Sequence, residues 1–353
     1  MNSMKKRIAL VMTAVALAAT AITGCSSNKT IDSSAVVATI NDEEVTLGTA
    51  NLYARYQQAM FETQYGAYLG EGLWSTPAND KQTMEQSTKD SIMESIKQLY
   101  VLEDHMDEYQ VSITDEETAK IEEAAKKFVE ANQDAKVKEV ITADEETAKE
   151  VLTLLTIQNK MRSMITKDVD MNVSDEEAAQ KTMDYVFFST SKTDESGQSK
   201  DMTKEEKEAV KEEAQKYLDG AKDAKDLKAY TEEAGYSLST KAFDSKDVDP
   251  AKELIEAADG LKAGEFTDII ETKAGYYVAK LTSVFDTEAT EMEKANIIQK
   301  RKDAKYTEVI DKFINDAKIT VNEKEWDKIS FSKQSVKIKQ EIPQGAGEPK
   351  EDN

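Results

Sequence analysis

The first 25 residues constrain this chain more than any other stretch. Lys5, Lys6 and Arg7 precede an uncharged, largely apolar run from Ile8 to Thr23, and Gly24-Cys25 closes it. The run falls short of the ~20 apolar residues that a spanning helix needs, and its flanks are those of a secretory leader. A leader of 1–24 is therefore predicted, and folding falls to the residues after it. Cys25 is the only cysteine, so no intramolecular disulfide can form. With a single histidine as well, the chain cannot build a Cys/His zinc site or a two-histidine catalytic pair. No metal and no cofactor are expected.

Ile22-Thr23-Gly24-Cys25 is similar to a bacterial lipobox. That resemblance implies a diacylglycerol on the Cys25 thiol, cleavage before it, and a body held by lipid at the outer face of the cell membrane. The body itself is acidic. The chain carries 46 Lys+Arg against 69 Asp+Glu, a net charge of −23, and the leader holds three of the basic groups and none of the acids. Such a surface repels phosphate backbones, which excludes nucleic acid as a partner. At 353 residues the chain has room for about two domains.

After a polar tether over 25–35, Val36 to Ile40 and Glu43 to Thr46 flank Asn41-Asp42, which predicts a hairpin. Helices come next. Ile92, Ile96, Leu99 and Tyr100 recur at helical spacing, as do Val151, Leu154, Leu155, Met161 and Ile165. Thr114 with Glu117, Thr142 with Glu145, Ser174 with Glu177 and Asn322 with Glu325 have the spacing of helix-capping pairs. Their irregular separation marks helix starts and not a repeat array.

From Lys181 the texture changes. Asp184 to Ser189 reads as a strand, followed by a polar loop through Lys200. A helix capped by Thr203 and Glu206 comes after it, then a second over Asp226 to Ala234. Tyr236 to Phe243 is a strand candidate, and Asp249-Pro250 opens a short helix to Ala258. Strands at Phe266 to Ile270 and Tyr276 to Thr282 complete a β-α-α-β-α-β-β unit. Glu291 to Ala317 returns to helix, Ile319 to Ser332 adds a strand and turn, and the tail from Gln334 is expected to be disordered.

Several segments resemble the PrsA-like foldase lipoproteins and, more distantly, SurA-like chaperones. They are the Val37 to Thr46 hairpin, the helix ending in Tyr109-Gln110-Val111-Ser112-Ile113-Thr114-Asp115-Glu116-Glu117, and the run Asp259-Gly260-Leu261-Lys262-Ala263-Gly264-Glu265-Phe266-Thr267-Asp268 with Gly275-Tyr276-Tyr277-Val278. The last two are similar to a parvulin domain. The resemblance implies a mainly α chaperone lobe formed from both ends of the chain, 36–180 and 285–333. An α+β parvulin-like domain over 181–284 is inserted in it, and a disordered tail spans 334–353. It also implies unfolded or newly secreted polypeptides as partners, with homodimerisation left open.

In active parvulins two strand histidines line the proline pocket. Tyr185 and Tyr277 stand at the matching positions here, and the pocket wall falls near Leu254 and Asp259. The tyrosines are either hydroxyl donors of a remodelled site or ordinary strand residues. On the second reading, which is the expectation, the domain is a weak or inactive prolyl isomerase; the alternative is an active one with altered residues. The densest aromatic cluster, Tyr53, Tyr56, Met60, Phe61, Tyr65, Tyr68, Leu69 and Trp74, is either lobe core or a lining for unfolded chains. Gly66, Gly70 and Gly72 predict a break from helix in its later part. His105 is expected at the surface or at an interface within the lobe. A solute-binding lipoprotein is a rival reading, but that fold needs repeated βαβ units and many glycine turns, and only 13 glycines are present.

Overall fold

The structure, a computed structural model, describes residues 17–21, 31–70, 72–193 and 197–338; Cys25 and the tail beyond 338 lie outside them. Strand β1 (Leu17–Ala21) comes first, followed by the hairpin β2 (Val36–Ile40) and β3 (Glu43–Thr46). Its turn places Asn41 at φ 53, a left-handed conformation that Asn tolerates. The Thr46 side chain then caps α1 (Leu47–Leu69) by accepting from the Thr49 N–H. This helix runs through Gly66 and stops at Gly70, so the expected break falls at the second of the three glycines. One internal glycine costs about 1 kcal/mol, too little to end a helix packed along its length.

Capping boxes start both α2 (Met84–Asp104), with Thr83 and Gln86, and α3 (Asp115–Ala131), with Thr114 and Glu117. Between α4 (Ala135–Ile141) and α5 (Glu145–Ile165) the expected cap moves. Asp144 caps α5 by accepting from the Thr147 N–H, while Thr142 takes a left-handed conformation just past the end of α4. The carboxylate is the stronger acceptor at a helix start. Ser174 caps only the single turn α6 (Asp175–Ala178).

Strand β4 (Lys181–Ser189) is followed by β5 (Ser191–Thr193) and β6 (Ser199–Asp201), a small ladder where a plain loop was expected. Next come α7 (Lys204–Asp223), α8 (Leu227–Glu233), β7 (Ser239–Phe243) and α9 (Lys252–Asp259). Helix α9 starts after Ala251, without a side-chain cap, instead of at the cis Asp249–Pro250 bond. Strands β8 (Ile270–Glu271) and β9 (Gly275–Ser283) precede the long α10 (Thr287–Asp316). The described residues end in β10 (Ile319–Val321), α11 (Glu323–Trp326) and β11 (Gln334–Ile338). Residues 334–338 are thus ordered, against the expectation for the tail, because Val336 is fully buried and the strand pairs with β1.

Two compact units result, 1–168 with 304–353, and 169–303. In the first, β10 pairs with β2 (Ile319 opposite Ile40), giving a sheet ordered β10-β2-β3 that joins the two ends of the chain. Leu47, Leu52, Leu99, Leu102, Ile121 and Phe128 fill its helical core. The second unit is an antiparallel sheet ordered β7-β4-β9-β8. One face packs Met183, Ala279 and Leu281 against Leu254, Ile255 and Ala258 of α9. The other packs Val186, Phe188 and Val278 against Ala214, Tyr217 and Leu218 of α7. The architecture is a mainly α lobe drawn from both ends of the chain, with an α+β domain inserted.

A polar clamp holds the C-terminal segment to α1. Arg55 is 1% exposed and donates to Gln58 Oε1 at 2.7 Å, the Ser330 carbonyl at 3.1 Å and Gln334 Oε1 at 3.0 Å. Gln58 Nε2 donates in turn to the Gln334 carbonyl and Glu62 Oε1, both at 2.6 Å. Thr63 Oγ1 accepts from the Ile338 N–H at 3.0 Å, and Trp74 Nε1 donates to Glu62 Oε1 at 2.8 Å.

Candidate functional site

The strand pairing of the α+β unit decides which side chains meet. Phe187 lies opposite Tyr277 and Tyr185 opposite Ala279, and alternation puts Tyr185, Phe187 and Tyr277 on the face covered by α9. The rings of Tyr185 and Tyr277 are 5.9 Å apart and those of Phe187 and Tyr277 4.6 Å. Tyr277 is 8% exposed and Phe187 is 38% exposed, so the trio forms a shelf with one open side.

Gly275 makes the close approach at the start of β9 possible. A Cβ there would stand 2.1 Å from the Phe188 carbonyl oxygen and 2.9 Å from the Phe187 ring. Thr267, nearly buried, holds the strand on its other edge. Its N–H donates to the Ala279 carbonyl at 2.9 Å and its hydroxyl accepts from the Ala279 N–H at 3.0 Å.

Burial pushes the Tyr277 hydroxyl above its ordinary range, and Tyr185 and Asp249 nearby add to the shift. It is therefore a neutral donor at any ordinary pH. The two wall positions are otherwise engaged. Leu254 is fully buried in the core, and Asp259 meets Lys181 Nζ at 2.7 Å through its carboxylate. The shelf can stack against an apolar ring and offer hydroxyls, but it holds no histidine. Among the described residues no cluster of three or more His, Cys, Asp or Glu could hold a metal. Phe187 was not singled out in the sequence; its place two residues from Tyr185 on a strand was the available signal.

In the other unit the structure divides the aromatic cluster. Tyr53 and Tyr56 are each 6% exposed and Trp74 is 3% exposed. These three are core residues: α1 turns Tyr53 and Tyr56 inward, and the short turn after it sets Trp74 against the C-terminal segment. The Trp74 ring packs at a tilt 5.0 Å from Phe331 and 5.4 Å from Phe61. Met60 and Tyr65 are exposed, and half-buried Phe61 bridges them to the core, 4.9 Å from Tyr65. The side chains of Tyr68 and Leu69 lie outside the described residues. Tyr100, beside Tyr53, donates to Glu150 Oε1 at 2.5 Å, and burial drives its hydroxyl far above its ordinary range. His105 packs within the lobe: its ring stacks on Phe313 at 3.7 Å, and its Nδ1 lies 2.8 Å from the Val101 carbonyl.

Residues 176–296 match the family of PPIC-type PPIase domains. Two proteins of Clostridium botulinum, each called foldase protein PrsA, are 28% identical to this chain over 311 residues, covering 82% of it and 88% of theirs. The chain is similar to the PrsA foldases over most of its length. Among solved structures, PrsA of Lactococcus lactis aligns over 85% of this chain and 98% of its own, with 17% identity and a TM-score of 0.32. PrsA of Bacillus cereus gives the same coverages with 16% identity and a TM-score of 0.31. The matched PPIase-type segment lies within the unit 169–303, which in sequence interrupts the other unit.

Proposed function

We propose that this protein is an extracytoplasmic foldase, anchored by a diacylglycerol on Cys25, whose helical lobe holds unfolded secreted polypeptides. In this reading 36–180 with 285–333 do the chaperone work, and 181–284 is a weak or inactive prolyl isomerase. The observation that carries the last point is the shelf of Tyr185, Phe187 and Tyr277 where the resemblance expects a histidine-lined pocket. Rotation about an X–Pro bond meets a barrier near ~20 kcal/mol. Lowering it requires a desolvated ring pocket and donors aimed at the twisting amide, and losing one such donor typically costs ~100-fold or more in rate. Here both histidine positions hold Tyr, and the wall position Asp259 is tied to Lys181.

A protease-coupled assay on a proline tetrapeptide tests this, with Tyr277→Phe and the double variant Tyr185→His/Tyr277→His beside the parent. The parent should barely exceed the uncatalysed rate. Efficient turnover by the parent, lost in Tyr277→Phe, would mean that the tyrosine hydroxyl has taken over the chemistry.

A further inference from the structure

The strand that pairs with β11 comes from the leader. Leu17 to Ala21 run antiparallel to Ile338 to Gln334, Leu17 is fully buried, and its N–H donates to Asn132 Oδ1 at 2.7 Å. These five residues precede Cys25, so cleavage at the leader boundary removes them. The receiving strand stays: β11 is fixed to α1 through Arg55, Gln58 and Thr63. Removal of the leader therefore uncovers a strand edge and the site that took Leu17. An exposed edge with unpaired amides is a template for another extended chain.

We propose that the β11 edge of the mature protein is a binding site for an extended, unfolded polypeptide. An apolar side chain takes the place of Leu17, and the leader occupies the site until cleavage. This rests on the leader and chaperone readings above and gives the chaperone a defined way to bind.

The register sets the rules of recognition. The Gln334 carbonyl and the Ile338 N–H both face α1, so by strand alternation the backbone groups of Ser335 and Lys337 face the incoming strand. Their opposite numbers are Thr20 and Ala18. The Leu17 N–H points the other way, to Asn132, and the amides of Ala19 and Ala21 share that direction. Binding thus draws on main-chain hydrogen bonds at alternate residues and one buried side chain. Such a mode tolerates many sequences, as a chaperone must.

The test is fluorescence anisotropy with a labelled peptide of residues 14–24, added to the leader-free protein that begins at Ser26. Saturable binding is expected. N-methylation of the peptide at Ala18 and Thr20 should abolish it, whereas N-methylation at Ala19 and Ala21 should leave most of it. A Leu17→Asp peptide should bind about tenfold more weakly or worse, because the buried side chain is lost. A chain that starts at residue 14 and carries Cys25→Ala should bind no peptide, its own strand being in place. Absence of binding, equal loss from both N-methylated peptides, or equal binding by the longer chain would overturn the proposal. If the leader-free protein ignores the peptide yet prevents client aggregation, this site is refuted and the chaperone reading stands.

Discussion

Arg55→Ala should destabilise the helical lobe by about 4 kcal/mol. Arg55 is buried, makes three hydrogen bonds within 2.7–3.1 Å, and stands 5.7 Å over the Phe331 ring. Burial lowers its guanidinium to about 10 against the pull of Glu85 and Glu62, so it is still a cation at pH 7. Truncating it leaves the Ser330 carbonyl and Gln334 Oε1 without this donor, and deprives Glu62 of a nearby positive charge. Removing one member of such a buried set typically costs ~3–5 kcal/mol, and hydrogen bonds to a charged group account for ~1.5–3 kcal/mol each before overlap is discounted. For a unit of this size ~4 kcal/mol corresponds to a fall in Tm of roughly 8–16 °C. Both tryptophans, Trp74 and Trp326, lie in the same unit as Arg55, so urea titration followed by tryptophan fluorescence reads this unit alone. Arg55→Lys, which keeps the charge and loses the fork, should fall about midway. A loss below ~1 kcal/mol for Arg55→Ala would refute the view that this clamp fixes the C-terminal segment.

Two further outcomes are expected. Asp286 accepts from the Ala289 N–H and the Thr182 hydroxyl, which hold its carboxyl below the usual 3.8. Its stabilisation is therefore complete above that value and is lost as the pH falls through the lower folded value, so the stability gap between parent and Asp286→Ala in pH-dependent melts should close below about pH 4. Cys25→Ala should abolish incorporation of a palmitate analogue in metabolic labelling, and a variant that still labels sinks the lipid-anchor reading.

The features that could be read from the sequence were local. The Asn41 turn and the capping boxes at Thr114 and Thr203 arise from short-range chemistry. Those that escaped depended on distant partners. Arg55 and Gln58 sit in a helix that otherwise reads as aromatic and apolar, and their acceptors at Ser330 and Phe331 lie 275 and 273 residues away. Packing with Ile96, Leu99, Val151 and Leu154 puts Tyr53 in the core, and Phe331 does so for Trp74, whereas Met60 and Tyr65 face outward. In the tail, Lys and Glu around 333–341 concealed Val336, which is fully buried in a strand that packs on α1. At the candidate site, the tyrosine positions came from the resemblance. The shelf itself required the register that sets Phe187 beside Tyr277.

The central claim is that the helical lobe, and not the PPIase-type domain, keeps unfolded chains from aggregating. Light scattering of a chemically unfolded secreted protein, diluted into buffer with the leader-free chain or with a variant whose 181–284 segment is replaced by a short linker, tests it most directly. Both proteins should slow aggregation to a similar extent at equal concentration. Suppression that vanishes with 181–284, and is recovered by that segment alone, would contradict the account.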